Sequence, residues 1–409
     1  MNNKLIQIIK NGKLQSCEET SLQGFISDLE ISDKDSEIVI FPGFIDVHVH
    51  LREPGFFHKE TIKTGTLAAL SSGYTAVCSM PNVSPVPDSM ENLQVQLDII
   101  NSDAVCEVYP YGALTKGENG KELVDFKKLA PYCVAFSDDG KGVQSQEVTR
   151  KAMIEVAKTG RIFAQHLEDD EIKKNGVIHD GEYAKKHNIP AIPSEAEFGM
   201  LARDLKLVRE TGVKYHVCHL STKEGVEMIR KAKAEGLDVT CETAPHYLVL
   251  TEADLKDEGN FKMNPPLRSK EDQIALIKGL QDGTIDMIAT DHAPHAESEK
   301  AGGLLKSAMG IVGIETAFPL LYTHLVKTGI LSLEKLSELL TTNPAKRFGI
   351  NQKFEENYTV FDLNANYEIK AENFLSKGKN SPFLGKKVYA KCIKTVNGGN
   401  TWKANSQEN

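Results

Sequence analysis

A run of apolar residues long enough to cross a bilayer is missing: nowhere do about 18 follow one another without interruption. The opening residues, MNNKLIQIIK, hold too short an apolar stretch for a secretory signal. Missing too is any C-x-x-C pair among the seven cysteines. An odd, scattered set makes no disulfide framework. Cys78, Cys106, Cys133, Cys218 and Cys241 lie in or against apolar runs and read as small buried hydrophobes in a reducing compartment, the cytoplasm. There is no basic excess either. Lys plus Arg number 48 against 57 Asp plus Glu, and the net charge of −9 argues against nucleic acid or an anionic membrane as partner. The chain has no G-x-x-x-x-G-K-[ST], no G-x-S-x-G and no H-E-x-x-H, and Gly140-Lys141-Gly142 lacks the third glycine of a dinucleotide fingerprint. Internal repeats and low-complexity tracts are absent.

What is present suits a large α/β protein. Hydrophobic residues make up 40% and charged residues 26%, enough for a sizeable core. Short β-rich apolar runs recur at residues 43–49, 74–80, 104–109, 132–136, 162–166, 213–219, 238–242 and 285–290. Most are separated by stretches of helical periodicity, such as EVTRKAMIEVAKT (147–159) and EGVEMIRKAKAE (224–235). Alternating strands and helices require a parallel sheet, because parallel neighbours need long crossovers. Eight such units in about 250 residues is the size of a (β/α)8 TIM-like barrel, with a doubly wound open sheet as the competing arrangement. We therefore expect a barrel over residues 43–349. The segments 1–42 and 350–409 lack long helical patterns and are rich in turn residues, so they are expected to meet in a small β-sandwich domain beside it. The polar end, 402–409, is expected to fray.

Chemistry first shows at His48-Val49-His50, where a strand would turn both imidazoles to one face. Alone, an H-x-H pair is commonly accidental. Its setting changes the odds. Other expected strands end in Phe136-Ser137-Asp138-Asp139-Gly140, Ala164-Gln165-His166, His216-Val217-Cys218-His219 and Ile288-Ala289-Thr290-Asp291-His292. In a barrel these ends converge on one rim, where active sites are built. Four histidines and two aspartates are too many for one tetrahedral zinc. They suit two metals about 3.5–4 Å apart that share a carboxylate and a water. Such a pair makes hydroxide available near neutral pH and polarises a carbonyl, which points to hydrolysis of an amide or ester, or its reversal. Asp138 and Asp139 point to opposite faces if the strand stays extended, so only one of them is easily a ligand.

Seven segments in order carry a resemblance: PGFIDVHVHLREPG (42–55), GYTAVCSMPNVSPVPD (73–88), FSDDGKGVQ (136–144), HVCHLSTKEG (216–225), KMNPPLRS (262–269), DGTIDMIATDHAPH (282–295) and GIVGIETAFPLLYTH (310–324). With them the sequence resembles the amidohydrolase superfamily and, within it, the bacterial type I dihydroorotases, densely from about residue 41 to 349 and weakly at both ends. The resemblance implies two zinc ions per chain, one held by His48, His50 and Asp291, the other by His166 and His219, with Asp139 bridging. Many related enzymes bridge with a carboxylated lysine. Residues 131–139 contain none, and Lys141 reads as a loop residue.

The resemblance further implies substrate contacts from His50, Arg52, Asn82, Asn264 and His295 and from the backbone at Met309 and Gly310. An Arg fork suits a free α-carboxylate, and Asn264 can donate to and accept from a ring amide edge. The bland alternative for Arg52 is a surface salt bridge with Glu53 or Glu60. Many relatives have Pro-Phe-Gly where this chain has Ala308-Met309-Gly310; Met309 can fill a similar volume. The implied activity is the reversible cyclisation of N-carbamoyl-L-aspartate to L-dihydroorotate and water, a step of pyrimidine (UMP) biosynthesis. There a hydroxide on the binuclear metal attacks the ring amide carbonyl, and Asp291 acts as general acid and base. Two alternatives stand beside it. One is another cyclic amidohydrolase acting on hydantoin, allantoin or dihydropyrimidine rings. The other is an inactive scaffold for aspartate carbamoyltransferase, although such proteins typically lose ligands and every expected ligand is present here. A homodimer and an association with aspartate carbamoyltransferase stay open. Of the remaining histidines, His58, His179 and His187 read as solvated, and His216 as core or support. His246 and His292 read as orienting ligands through hydrogen bonds, and His324 as structural.

Overall fold

All eight apolar runs become parallel strands in the computed structural model, which describes residues 6–17, 22–26, 29 and 36–404. In chain order the strands begin with β1 (Ile6–Lys10), β2 (Lys13–Cys17), β3 (Ile38–Pro42), β4 (Phe44–Val49), β5 (Tyr74–Ser79), β6 (Glu107–Pro110), β7 (Ala135–Phe136) and β8 (Ile162–Gln165). They continue with β9 (Ile178–His179), β10 (Ala191–Ile192), β11 (Lys214–Val217), β12 (Val239–Thr243) and β13 (Met287–Ile288), and end with β14 (Asn357–Glu368), β15 (Lys387–Asn397) and β16 (Asn400–Lys403). Strands β4, β5 and β6 form one parallel sheet, and β7, β8, β11, β12 and β13 form another. Isolated parallel bridges link the two sheets at both edges, Gly112 to Phe136 beyond β6 and Val49 to His292 beyond β13. Main-chain bonds reinforce each link: Ser137 N–H to the Gly112 carbonyl (3.0 Å), and His50 N–H to the His292 carbonyl (2.8 Å).

The ladders are shorter than the apolar runs. β7 and β13 have two residues each, because the chain turns away toward the pocket as soon as it leaves the pairing. Every residue of β4 and β5 is buried, as expected for parallel strands covered on both faces. The helices expected at 147–159 and 224–235 run Gln146–Thr159 and Lys223–Ala234. Each begins on a capping hydroxyl: Ser145 accepts from Val148 N–H and Thr222 from Gly225 N–H. The first buries Thr149, Ala152, Met153 and Val156, a stripe at helical spacing.

The terminal segments differ from expectation. Among the described residues they form a single six-stranded sheet, β16-β15-β14-β3-β1-β2, and not two facing sheets. The helix Ile62–Ser71 and residues 322–326 pack against β15, covering apolar surface that a second sheet would otherwise cover. Phe41, Phe44, Phe318 and Phe361 lock the sheet to β4, with ring centroids 4.3 Å apart for Phe318–Phe361 and 5.0 Å for Phe44–Phe318. Gly73, at φ 96°, lies against two of these rings. A Cβ there would stand 3.0 Å from both Phe44 and Phe361. Trp402 and Lys403, expected to fray, pair in β16, while 405–409 lie outside the described residues. Among the described residues no helix is long and apolar enough to cross a membrane, and six free cysteines are buried.

Candidate active site

Six side chains drawn from residues 48 to 291 meet in one buried cluster, each less than a tenth exposed. His48 and His50 leave the end of β4 on the same face. His50 Nε2 lies 3.1 Å from Asp291 Oδ1 and 3.6 Å from Asp139 Oδ2. His48 Nε2 lies 3.5 Å from Asp139 Oδ1 and 3.6 Å from Asp291 Oδ1. Opposite, His166 Nδ1 and His219 Nε2 are 2.9 Å apart and stand 3.7 and 3.9 Å from Asp139 Oδ1. Asp139 thus faces both groups of histidines. Asp138 turns away, where it accepts from the Leu114 and Thr115 main-chain N–H groups and the Thr115 hydroxyl.

This set fits a metal. His48 Nε2 and Asp139 Oδ1 are buried without a hydrogen-bond partner, and such orphaned lone pairs need a ligand. His48, His50 and Asp291, and likewise His48, Asp139 and His219, bring ligand atoms within 4.8 Å of one another. Imidazole and carboxylate are donors that zinc takes. Burial alone would raise both carboxyls. Instead the surrounding imidazoles hold Asp139 well below the usual carboxylate range and lower Asp291 too. Burial would also lower His48, but Asp139 and Glu242 push it well up. His219 falls to about 3 through burial first and then through His166 and His48 beside it.

Behind these side chains stand groups that sequence reasoning missed. Glu242, on β12, accepts from His48 Nδ1 (2.7 Å), from His216 Nε2 (3.1 Å) and from the His219 main chain (3.2 Å). With Nδ1 turned to Glu242, Nε2 is the ring atom that faces Asp139 and Asp291. Glu242 stays charged, pulled to about 2 by the two histidines against its burial. Asp46 accepts from the Thr290 hydroxyl (2.6 Å) and from His48 N–H (3.1 Å), tying the first parallel strand to the last. Asn82 serves His50 in the same way. Its Oδ1 accepts from His50 Nδ1 (2.8 Å), and its Nδ2 lies 3.5 Å from Asp139.

The other side of the pocket is made of loops. Arg52 is 8% exposed, donates from Nε to the Pro294 carbonyl (3.2 Å) and lies 3.3 Å from His295 Nε2. Among the described residues no carboxylate stands within 4.0 Å of its guanidinium, and burial draws it down to about 10. The surface salt bridge is not formed: Glu53 accepts from Ile62 N–H, and Glu60 from Thr61 and Lys377 N–H and the Ser376 hydroxyl. His295 Nε2 lies 2.9 Å from the Met309 carbonyl. Burial and Arg52 hold its ring down to about 3. Asn264 Nδ2 is 3.4 Å from His166 Nε2. Gly310, at φ 129°, leaves no room for a side chain, since a Cβ would stand 2.7 Å from Ala293 Cβ and 3.2 Å from His295 Nε2. Arg52, His219 and Asp291 have φ of 62°, 38° and 49°, a left-handed backbone that side-chain-bearing residues adopt at a cost and that clusters at functional sites.

Three histidines depart from expectation. His179 is buried against Arg268 (3.3 Å), not solvated, and falls to about 4. His292 Nδ1 accepts from Gly313 N–H (3.2 Å), and it reaches the ligands through its main-chain carbonyl, not its ring. His246 Nε2 is buried without a partner.

A family model described as dihydro-orotase-like matches residues 37–225. The dihydroorotase of Staphylococcus epidermidis (strain ATCC 12228) is 48% identical over 408 residues, covering 95% of this chain and 96% of that protein. The dihydroorotase of Staphylococcus aureus (strain MRSA252) is 46% identical over 414 residues, covering 96% and 97%. Among solved structures, the L-hydantoinase (dihydropyrimidinase) of Arthrobacter aurescens superimposes with a TM-score of 0.82 at 26% identity, covering 97% of this chain and 94% of that one. The dihydropyrimidinase of Brevibacillus agri, at 23% identity, shares the fold with a TM-score of 0.78 over 92% and 89%. With nearly half of all positions shared along almost the full length of curated relatives, the chain belongs to the dihydroorotase family of the amidohydrolase superfamily.

Proposed function

We propose that the chain catalyses the reversible cyclisation of N-carbamoyl-L-aspartate to L-dihydroorotate and water. The observation that carries this reading is Arg52, a buried guanidinium with no carboxylate of its own, set beside the histidine–aspartate cluster. A buried cation without a counter-charge is costly, and a substrate α-carboxylate supplies one. His295, neutral beside it, and Asn264, at the edge of the cluster, complete the grip on the substrate. Asn82 keeps His50 oriented, and the backbone at Met309 and Gly310 lines the same side.

In this reading His48, His50 and Asp291 would hold one zinc ion and His166 and His219 a second, with Asp139 available to both. Two divalent cations so held would supply a nucleophile from water near neutral pH and polarise the carbonyl under attack. Asp291 moves the proton. In the hydrolytic direction the ring C–N bond breaks and Asp291 delivers a proton to the leaving nitrogen. In the biosynthetic direction it takes the proton from the ureido nitrogen as that nitrogen bonds to the side-chain carboxyl carbon, and the departing carboxyl oxygen leaves as water with that proton and one from the medium. The complete ligand set weighs against an inactive scaffold.

The same reading takes the eight parallel strands as one (β/α)8 barrel over residues 43–349, with residues 1–42 and 350–409 as a small β domain beside it. The bridges at both edges of the parallel sheets support it. The test is metal analysis coupled to assays with dihydroorotate, hydantoin, allantoin and dihydrouracil. Dihydroorotate should turn over far faster than the others, and chelation should abolish turnover until zinc is restored. A chain that binds no metal and opens none of the four rings overturns the reading in favour of the scaffold. Sedimentation, alone and mixed with aspartate carbamoyltransferase, decides oligomeric state and association.

A further inference from the structure

Lys300 ends a short helix, Glu297–Lys300, and its side chain is 8% exposed. No carboxylate neutralises it at ion-pair distance among the described residues. Its ammonium donates instead to three main-chain carbonyls: Lys262 (3.0 Å), Ala308 (2.7 Å) and Gly310 (2.7 Å). An ammonium has three protons, so its hydrogen-bonding capacity is filled. The three acceptors are not random. Lys262 lies two residues before Asn264, and Ala308 and Gly310 flank Met309. The same junction is closed by Gly310 N–H donating to the Lys262 carbonyl (3.0 Å), and by Asn380 Nδ2 donating to the Gly310 carbonyl (3.0 Å).

We propose that Lys300 is a positioning residue for substrate: its ammonium fixes the separation between the loop that carries Asn264 and the Ala308–Gly310 segment. The inference rests on the function proposed above, because it takes those loops to be the substrate's walls. Lys300 touches neither the histidine–aspartate cluster nor the reacting atoms, so its loss acts on how the loops hold substrate. The arrangement also depends on its charge. A neutral amine has only two protons for the three carbonyls, so one of them loses its donor and the clamp loosens. Burial, with Lys262 nearby, draws the group down to about 7 despite Glu299, and the charged or titratable groups facing it are Lys262, Glu299 and His295.

The experiment measures kcat and KM for dihydroorotate, and metal content, in the wild type and in Lys300→Met from pH 6 to 9. Methionine keeps the stem and removes all three donors. KM in the variant should rise about tenfold at pH 6, the cost of leaving the buried Ala308 carbonyl unpaired and the Lys262 and Gly310 carbonyls with one donor fewer, with kcat within about threefold of wild type by the same reasoning on loops remote from the reacting atoms. Metal content should be unchanged. The ratio of the two KM values should shrink toward pH 9 as wild-type Lys300 loses its proton. A ratio near one at every pH overturns the proposal, and so does a parallel fall of kcat and metal content, which marks a merely structural lysine. If Lys300→Met does not fold, a wild-type KM that stays flat from pH 6 to 9 overturns it. A wild type that leaves dihydroorotate untouched overturns the function reading instead, and Lys300 is then judged on the cyclic amide that the wild type does open.

Discussion

On the cation side of the pocket, His48 lies within β4, and His50, Asp139, His166, His219 and Asp291 come one to three residues after the ends of parallel strands, with acidic residues such as Glu242 and Asp46 behind them. On the substrate side, Arg52, Asn264, His295 and Gly310 sit on loops that touch mainly other loops. The first side takes its geometry from strand ladders, which are rigid because each main-chain group is paired with a neighbour. The second takes it from a few buried polar side chains that reach across long sequence separations. Asn380 is the clearest of these. It comes from the C-terminal segment, accepts from His295 N–H (3.1 Å), donates to the Ala293 (3.2 Å) and Gly310 (3.0 Å) carbonyls, and takes Val312 N–H on its own carbonyl (3.0 Å). The difference teaches that damage on the cation side should register in kcat and metal content, and damage on the substrate side in KM.

The largest expected effect tests the first half of that contrast. Asp291→Asn should lower kcat by about a thousandfold or more, in the upper range for loss of a general acid–base, with the circular dichroism of the fold retained. Near-normal turnover would refute the role given to Asp291. Glu242→Gln should follow. Losing the charge behind His48 should weaken metal affinity by about 10- to 100-fold, as read by chelator competition, while activity returns at saturating zinc. If KM shifted and affinity did not, the division between the two sides would fail. Asn380→Ala reaches the other side from outside the parallel strands. KM should rise about tenfold, from main-chain groups left unpaired, with metal content unaltered.

The smallest effect concerns how the C-terminal segment is held. Glu315 is half-buried and accepts from Leu375 N–H (2.6 Å) and Ser376 N–H (3.3 Å), and burial raises its carboxyl from 4.5 to about 7. Between those values the folded state binds more protons than the unfolded one. The stability Glu315 contributes is therefore complete below about 4.5 and lost as pH climbs through about 7. Glu315→Gln removes that loss. The variant should be close to wild type in stability at pH 4.5 and exceed it at pH 8.5 by up to about 3 kcal/mol, read from Tm. An unchanged difference across that range would mean that the group is effectively solvated.

Strand and helix periodicity made the alternating organisation readable, and the i, i+2 spacing made His48 and His50 readable, because both depend on neighbours in sequence. Asp139 and Asp138 could be separated only through the family, since their opposite faces mean nothing until one face is known to be the pocket. Glu242 escaped notice because it is a single acid closing an apolar run, and its partner His48 is 194 positions away. Lys300 and Asn380 escaped for a different reason: their partners are main-chain carbonyls and N–H groups, which every residue carries. What covers the terminal strands was not legible, because alternation tells that a strand has one apolar face, not whether a sheet or a helix packs on it.

The sequence alone determined the order of strands and helices, the donor types for a metal and the presence of an arginine able to take a carboxylate, since each is a matter of local spacing and side-chain chemistry. Only the tertiary structure decided that Arg52 has no carboxylate within ion-pair distance among the described residues, that Glu242 and Asn82 meet the histidine rings, and that Lys300 and Asn380 bind the main chain around residues 262 and 308–310 and at 295. Those facts depend on which buried groups lack a partner after folding, and burial is a property of the whole chain packed against itself.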